Sequence, residues 1–201
     1  RPSVKEDDPV LKAFPAELPL LVKQLLLQRG FTGGMETELF LDPRLSHLSD
    51  PFLMGEMRAA VDPIFRAVDE GETVCIYGDY DVDGVTSVAL LRAILMAYDL
   101  DPQYFIPVRS REGYGLSEAG IKRCLCECAD PPSLLITVDC GTSSVKEVDM
   151  LNSLGIDVII LDHHEAGPLG RPDAAAVVNA KIEENSPYTY LCSAGVVFKL
   201  A

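Results

Sequence analysis

The chain has 201 residues, of which 17 are basic and 31 acidic, giving a formal net charge of −14. That length suits one sizeable domain with a smaller piece ahead of it, and 48% hydrophobic residues suffice for a buried core, which excludes a disordered chain. The acidic balance argues against a non-specific coat on nucleic acid, which wants a basic field, but it admits an enzyme whose carboxylates hold cations.

Arg92 breaks the longest apolar run, 85–98, so no transmembrane helix and no membrane contact are expected. The N-terminal Arg1-Pro2-Ser3-Val4-Lys5-Glu6-Asp7-Asp8 lacks the apolar stretch of a signal peptide. Six cysteines are too few for a disulfide scaffold, and with no leader a reducing cytoplasm is the expected location. There is no initiator Met, and the sequence stops inside an apparent helix at Phe198-Lys199-Leu200-Ala201, so a fragment of a longer protein is expected.

Residues 1–50 predict a small helical segment, with apolar residues over 18–27 and breaks at Pro9, Pro15, Pro19, Gly30, Gly33-Gly34 and Asp42-Pro43. A domain over 51–201 follows. Its first helix is expected to start at Asp50-Pro51 with Asp50 as N-cap and to end at Gly71. The apolar face is Met54, Met57, Val61, Ile64, Phe65 and Val68, and Pro63 is a local conflict. Beyond Gly71 the texture alternates: strands over 73–77, 103–108, 134–138, 157–161 and 175–178, helices over 85–98, 116–129 and 144–154. Such alternation predicts an α/β fold, a mainly parallel sheet with helices on both faces.

Ligands of open parallel sheets bind beyond the C-terminal ends of the strands. There the sequence places Gly78-Asp79-Tyr80-Asp81-Val82-Asp83-Gly84, Asp139-Cys140-Gly141-Thr142 and Asp162-His163-His164-Glu165. Asp79, Asp81 and Asp83 alternate, so an extended segment would point all three the same way. No Lys or Arg lies between Thr73 and Leu91, so a divalent cation is the expected counter-charge. A solvated acidic turn is the competing reading, weakened by Asp139, Asp162, His163 and His164 on the same sheet edge. A calcium loop of EF-hand type is rejected because its twelfth position is Leu90. A phosphatase nucleophile segment of haloacid-dehalogenase type stays open, though it leaves His163-His164 unexplained. Mixed carboxylate and imidazole donors suit Mn²⁺ or Mg²⁺, and there are enough for two ions.

Tyr77-Gly78-Asp79-Tyr80-Asp81-Val82-Asp83-Gly84, Val138-Asp139-Cys140-Gly141 and Asp162-His163-His164 resemble the first three motifs of the DHH phosphoesterase superfamily. Within it the chain is similar to the N-terminal catalytic part of RecJ-type single-stranded-DNA exonucleases. Leu27-Gln28-Arg29-Gly30, Phe40-Leu41-Asp42-Pro43, Glu112-Gly113-Tyr114-Gly115-Leu116 and Gly195-Val196-Val197-Phe198 support this in order and spacing.

The resemblance implies two-metal hydrolysis of single-stranded DNA from its 5′ end, in repair and recombination. Asp81 would bind one Mn²⁺ (or Mg²⁺), Asp83 the other, Asp139 both, and His163 would complete a shell. His164 would meet metal or phosphate, Asp162 would orient it, and Asp79 would lie nearby. Arg109 and Arg111 would grip backbone phosphates and Tyr114 would stack on a base; ordinary loop arginines and a turn-shaping tyrosine are the competing readings.

The family often has His at the position of Tyr77, and its fourth metal-binding motif and a second domain lie beyond Ala201. The chain alone is therefore expected to fold without full activity, and the downstream domains and replication or repair proteins are its expected partners. A phosphodiesterase of short oligonucleotides or cyclic dinucleotides, and a non-catalytic scaffold of the same fold, are the alternatives. Cys124-x-Cys126-x-Cys128 puts Cys124 and Cys128 on one helix face; with no matching pair downstream, they read as buried small hydrophobes rather than a zinc site.

Overall fold

The computed structural model describes residues 8–201; the segment 1–7, judged above for a leader, lies outside the described residues. Two compact units divide at Asp50 and Pro51. In the first, Asp8 caps a 3₁₀ turn over Pro9–Ala13, and helices α1 (Leu20–Gln28) and α2 (Met35–Leu41) follow. The Phe31 and Phe40 rings meet at 4.5 Å.

The second unit, Pro51–Ala201, opens with a 3₁₀ turn at Pro51–Leu53, and helix α3 (Met57–Glu70) starts six residues later than the sequence suggested. Asp50 is therefore not its cap. Glu56 takes that place with φ +58, its carboxylate bound to Arg171 and to the Val177 N–H. The buried face is Met57, Ala60, Ile64 and Ala67, while Phe65 is exposed against the Tyr98 ring. Pro63 stays inside the helix; the N–H it lacks is the one that would bond the carbonyl of Ala59, an exposed residue. Gly71, at φ +66, closes the helix as expected.

Strands β1 (Val74–Gly78), β2 (Gln103–Phe105), β3 (Leu134–Val138), β4 (Asp157–Leu161) and β5 (Ala176–Val178) form one parallel sheet in the order β2-β1-β3-β4-β5. β2 stops short of the expected residue 108 because Pro107 has no N–H to continue the ladder. Helix α4 (Val82–Ala97) begins three residues before its expected start, since the Asp81 carboxylate caps it. The short α5 (Arg109–Glu112), α6 (Glu118–Glu127), α7 (Val145–Ser153) and α8 (Ser193–Leu200) complete the unit.

Alternate strand residues serve opposite faces. Val74, Ile76, Ile136 and Ile159 pack under α3, α4 and α8, whereas Cys75, Tyr77, Leu135, Val158 and Ile160 pack under α6 and α7. Both faces are thus covered, in keeping with the continuous apolar runs of β1 and β3. From β1 the chain goes outward to β2 and then returns across to β3, so the strand order reverses between β1 and β3. That is where a sheet of this kind opens a crevice at its C-terminal edge. Among the described residues, no helix is long and apolar enough to cross a membrane.

Candidate metal centre

The crevice is lined from three strand ends. After β1, Asp79 is fully buried and its Oδ1 accepts the Tyr80 N–H at 2.8 Å. Two residues on, Asp81 accepts from the N–H groups of Asp83 and Gly84, at 2.9 and 3.1 Å, and so starts α4. The segment is not extended, as the alternation had suggested; the three aspartates lie on a strand-to-helix turn. Gly84 is required there, because a Cβ would sit 2.4 Å from the Asp79 carbonyl oxygen.

After β3, Asp139 continues the ladder by donating its N–H to Leu161 O, then turns into the left-handed region at φ +62, which aspartate tolerates. Its Oδ1 accepts the Ser193 hydroxyl at 2.9 Å and lies 3.4 Å from His163 Nε2. Gly141 then turns at φ +115, where a Cβ would press on Thr137 and Ile160.

After β4, Asp162 likewise donates its N–H to Val178 O. Its Oδ1 accepts from the backbones of His163 and His164 and faces His164 Nδ1 at 2.8 Å, and its Oδ2 accepts the Thr142 N–H. Burial alone would raise this carboxyl; the hydrogen bonds from His164 and Thr142 outweigh it and hold it at about 2. An ionised Asp162 makes Nδ1 of His164 the donor, so Nε2 is the ring nitrogen that carries the lone pair when the imidazole is neutral. The same contact raises His164, whereas burial first and His164 second lower His163.

Oxygens of Asp79, Asp81 and Asp139 come within 4.8 Å of one another, and so do donor atoms of Asp139, His163 and His164. Asp139 belongs to both groups. Asp83 belongs to neither: its two oxygens accept the N–H groups of Ser193 and Ala194 at 2.8 Å and cap α8, with Oδ2 3.6 Å from His163. Burial would raise Asp83, but those N–H groups lower it.

The donor set fits cations on two counts. Among the described residues, Asp79 Oδ2 and Asp139 Oδ2 are buried without a hydrogen-bond partner, an arrangement that costs stability unless a positive charge satisfies them. Burial, together with Asp83 and Asp81, also raises Asp139 to about 7, the behaviour of crowded carboxylates lacking a counter-ion.

At the rim, the Arg109 guanidinium lies 5.4 Å from the Tyr80 ring centre, and the Tyr80 and Tyr114 rings meet edge-on at 6.1 Å. Burial first, then the charges of Asp79, Tyr80, Asp139 and Asp81, raise the Tyr114 hydroxyl. Arg111 is exposed on α5 and, among the described residues, is not brought to the cluster by any contact. Glu112 pins this segment by accepting from the Val108 N–H and pairing with Arg123.

Tyr77, which stands where the family resemblance implies that a histidine is common, is buried on the α6 face and donates to Gly115 O at 3.2 Å. Sequence reasoning missed Ser193, which binds Asp139, and Asn179, whose amide donates to Thr142 Oγ1 and His164 O. A serine opening a small-residue helix and an asparagine ending a strand were the only signals.

The family model described as "DHH family, N-terminal domain" matches residues 73–201. The single-stranded-DNA-specific exonuclease RecJ of Bacillus subtilis (strain 168) is 40% identical over 200 residues, covering 98% of this chain and 25% of that protein. A crystal structure of exonuclease RecJ bound to manganese superposes with TM-score 0.65 and 32% identity, over 73% of this chain and 36% of that one. RecJ from Thermus thermophilus in complex with Mn²⁺ superposes with TM-score 0.69 and 28% identity, over 92% of this chain and 24% of that one. The chain thus spans about a quarter of the Bacillus relative's length.

Proposed function

This chain belongs to the DHH family, and on that premise we propose that it is the metal-binding part of a phosphodiester hydrolase, a single-stranded-DNA exonuclease acting from the 5′ end. The observation that carries the reading is Asp139, common to two donor groups at the switch point of the sheet. The relatives' names and the manganese in the solved neighbours support the substrate and the ion.

Asp79, Asp81 and Asp139 would hold one Mn²⁺ or Mg²⁺, and Asp139 with His163 and His164 a second, Asp83 standing beside His163. Bound ions supply a water of lowered pKa and neutralise charge on the phosphate. Asp162 acts as the positioning group: it fixes the His164 tautomer and its ring through Nδ1. Arg109, and Arg111 two residues further along α5, offer guanidinium groups for phosphate, and the 60% exposed Tyr114 ring gives a stacking platform at the rim. The working location is the cytoplasm, with the downstream domains and repair or replication proteins as partners.

The test is digestion of single-stranded DNA, labelled separately at each end, by the full-length protein with Mn²⁺. Mononucleotides should leave the 5′ end, and chelator or Asp139→Asn should stop their release. Intact DNA despite bound Mn²⁺ would contradict the reading and point to short oligonucleotides or cyclic dinucleotides instead.

A further inference from the structure

Three thiols meet on the opposite face of the sheet from α4 and share no residue with the acidic crevice. Cys75 comes from β1, Cys124 from α6 and Cys128 from the residue that ends α6. Cys75 Sγ lies 3.6 Å from Cys124 Sγ and 3.8 Å from Cys128 Sγ, and all three sulfurs fall within 4.8 Å of one another. The two helical cysteines share a face at a spacing of four, and folding adds the third from a strand 49 residues away in sequence. With metal–sulfur bonds of about 2.3 Å in a tetrahedral shell, neighbouring sulfurs stand about 3.8 Å apart. Both separations from Cys75 are therefore already those such an ion imposes. A disulfide would require two of the sulfurs to close to about 2.05 Å.

We propose that Cys75, Cys124 and Cys128 form a site for one thiophilic divalent cation of the zinc type. Binding replaces three S–H protons, which leave to solvent, and three thiolates with a divalent ion carry a net charge of −1. In the metal-free protein the Cys75–Cys124 hydrogen bond lowers the Cys124 thiol and, with burial, raises Cys75, while burial raises Cys128, so two of the three protons leave only when an ion takes their place. Entry is open, since Cys124 and Cys128 line a cavity of about 340 Å³ bordered by Gln103, Tyr104, Phe105 and Glu127. Solvent in that cavity supplies the fourth position of the shell.

An ion there ties the end of α6 to the centre of β1. It also stiffens the segment before α6, because Tyr77, two residues along β1, donates to Gly115 O, and Arg123 on α6 holds Glu112. The site is a staple behind the substrate rim rather than a reactive centre.

Co²⁺ titration of the full-length protein tests this, because sulfur-to-cobalt charge-transfer absorption arises only from thiolate ligands and is silent for carboxylate and imidazole sites. The band should saturate at one equivalent, persist in Asp139→Asn, vanish on adding Zn²⁺, and be lost in Cys128→Ser. Cys128 is half-buried at a helix end, so this variant and Cys128→Ala should keep the wild-type circular dichroism, which guards against loss through misfolding. No band in the wild-type protein, a band unchanged in Cys128→Ser, or thiols lost to a disulfide with no metal bound would each overturn the proposal. Asp139→Asn separates this outcome from failure of the acidic-site reading.

Discussion

Asp162 is 1% exposed and ionised, a costly state that its four hydrogen bonds make stable. Because its folded pKa lies below the ordinary 3.8, it stabilises the fold above that value, and the contribution fades as pH falls toward about 2. The difference corresponds to about 2 kcal/mol. In chelator at pH 7, Asp162→Asn should lose roughly that amount in urea denaturation, since an asparagine Nδ2 would confront the Thr142 N–H donor. The variant should also lack this part of the acid limb between about pH 4 and pH 2; unchanged stability at both pH values would remove Asp162 from its positioning role. The acidic and imidazole residues were legible in sequence because they stand directly beyond apolar runs. Ser193 was not, for it lies 54 residues from Asp139, and only the return of α8 to the crevice joins them.

At the scale of elements, β3 and β4 occupy the residues their apolar runs indicated, because strands buried on both faces announce themselves without alternation. Helix starts were less legible. An aspartate in a run of aspartates does not declare which one caps, and it is Asp81 whose carboxylate meets the N–H groups of α4. The Glu56 side chain makes no capping hydrogen bond to α3, and its place is set by Arg171 and Val177, more than a hundred residues away. The β1–α4 turn depends most on Gly84. A methyl there would meet Asp79 backbone at 2.4 to 2.7 Å, and backbone cannot rotate aside. Gly84→Ala should cost about 1–3 kcal/mol in chemical denaturation and weaken Mn²⁺ binding by displacing Asp79 from Asp81. A variant of wild-type stability and affinity would show the turn to be slacker than its geometry indicates.

For the molecule as a whole, the parallel sheet places three separate strand ends around one crevice, and part of the net charge of −14 is gathered there. Carboxylates that repel one another when empty are held together by the same β3 and β4 ladders that form the core. Metal should therefore stabilise the fold as well as fill the site. With free Mn²⁺ at a hundred times its dissociation constant, one ion adds about 2.7 kcal/mol. The shared position of Asp139 is the central claim, and Mn²⁺ titration of the full-length protein, followed by calorimetry and electron paramagnetic resonance, tests it most directly. Two ions per chain with the spectrum of a magnetically coupled pair are predicted, with the coupling lost in Asp139→Asn. A single ion, or two uncoupled ions indifferent to Asp139→Asn, would contradict the account.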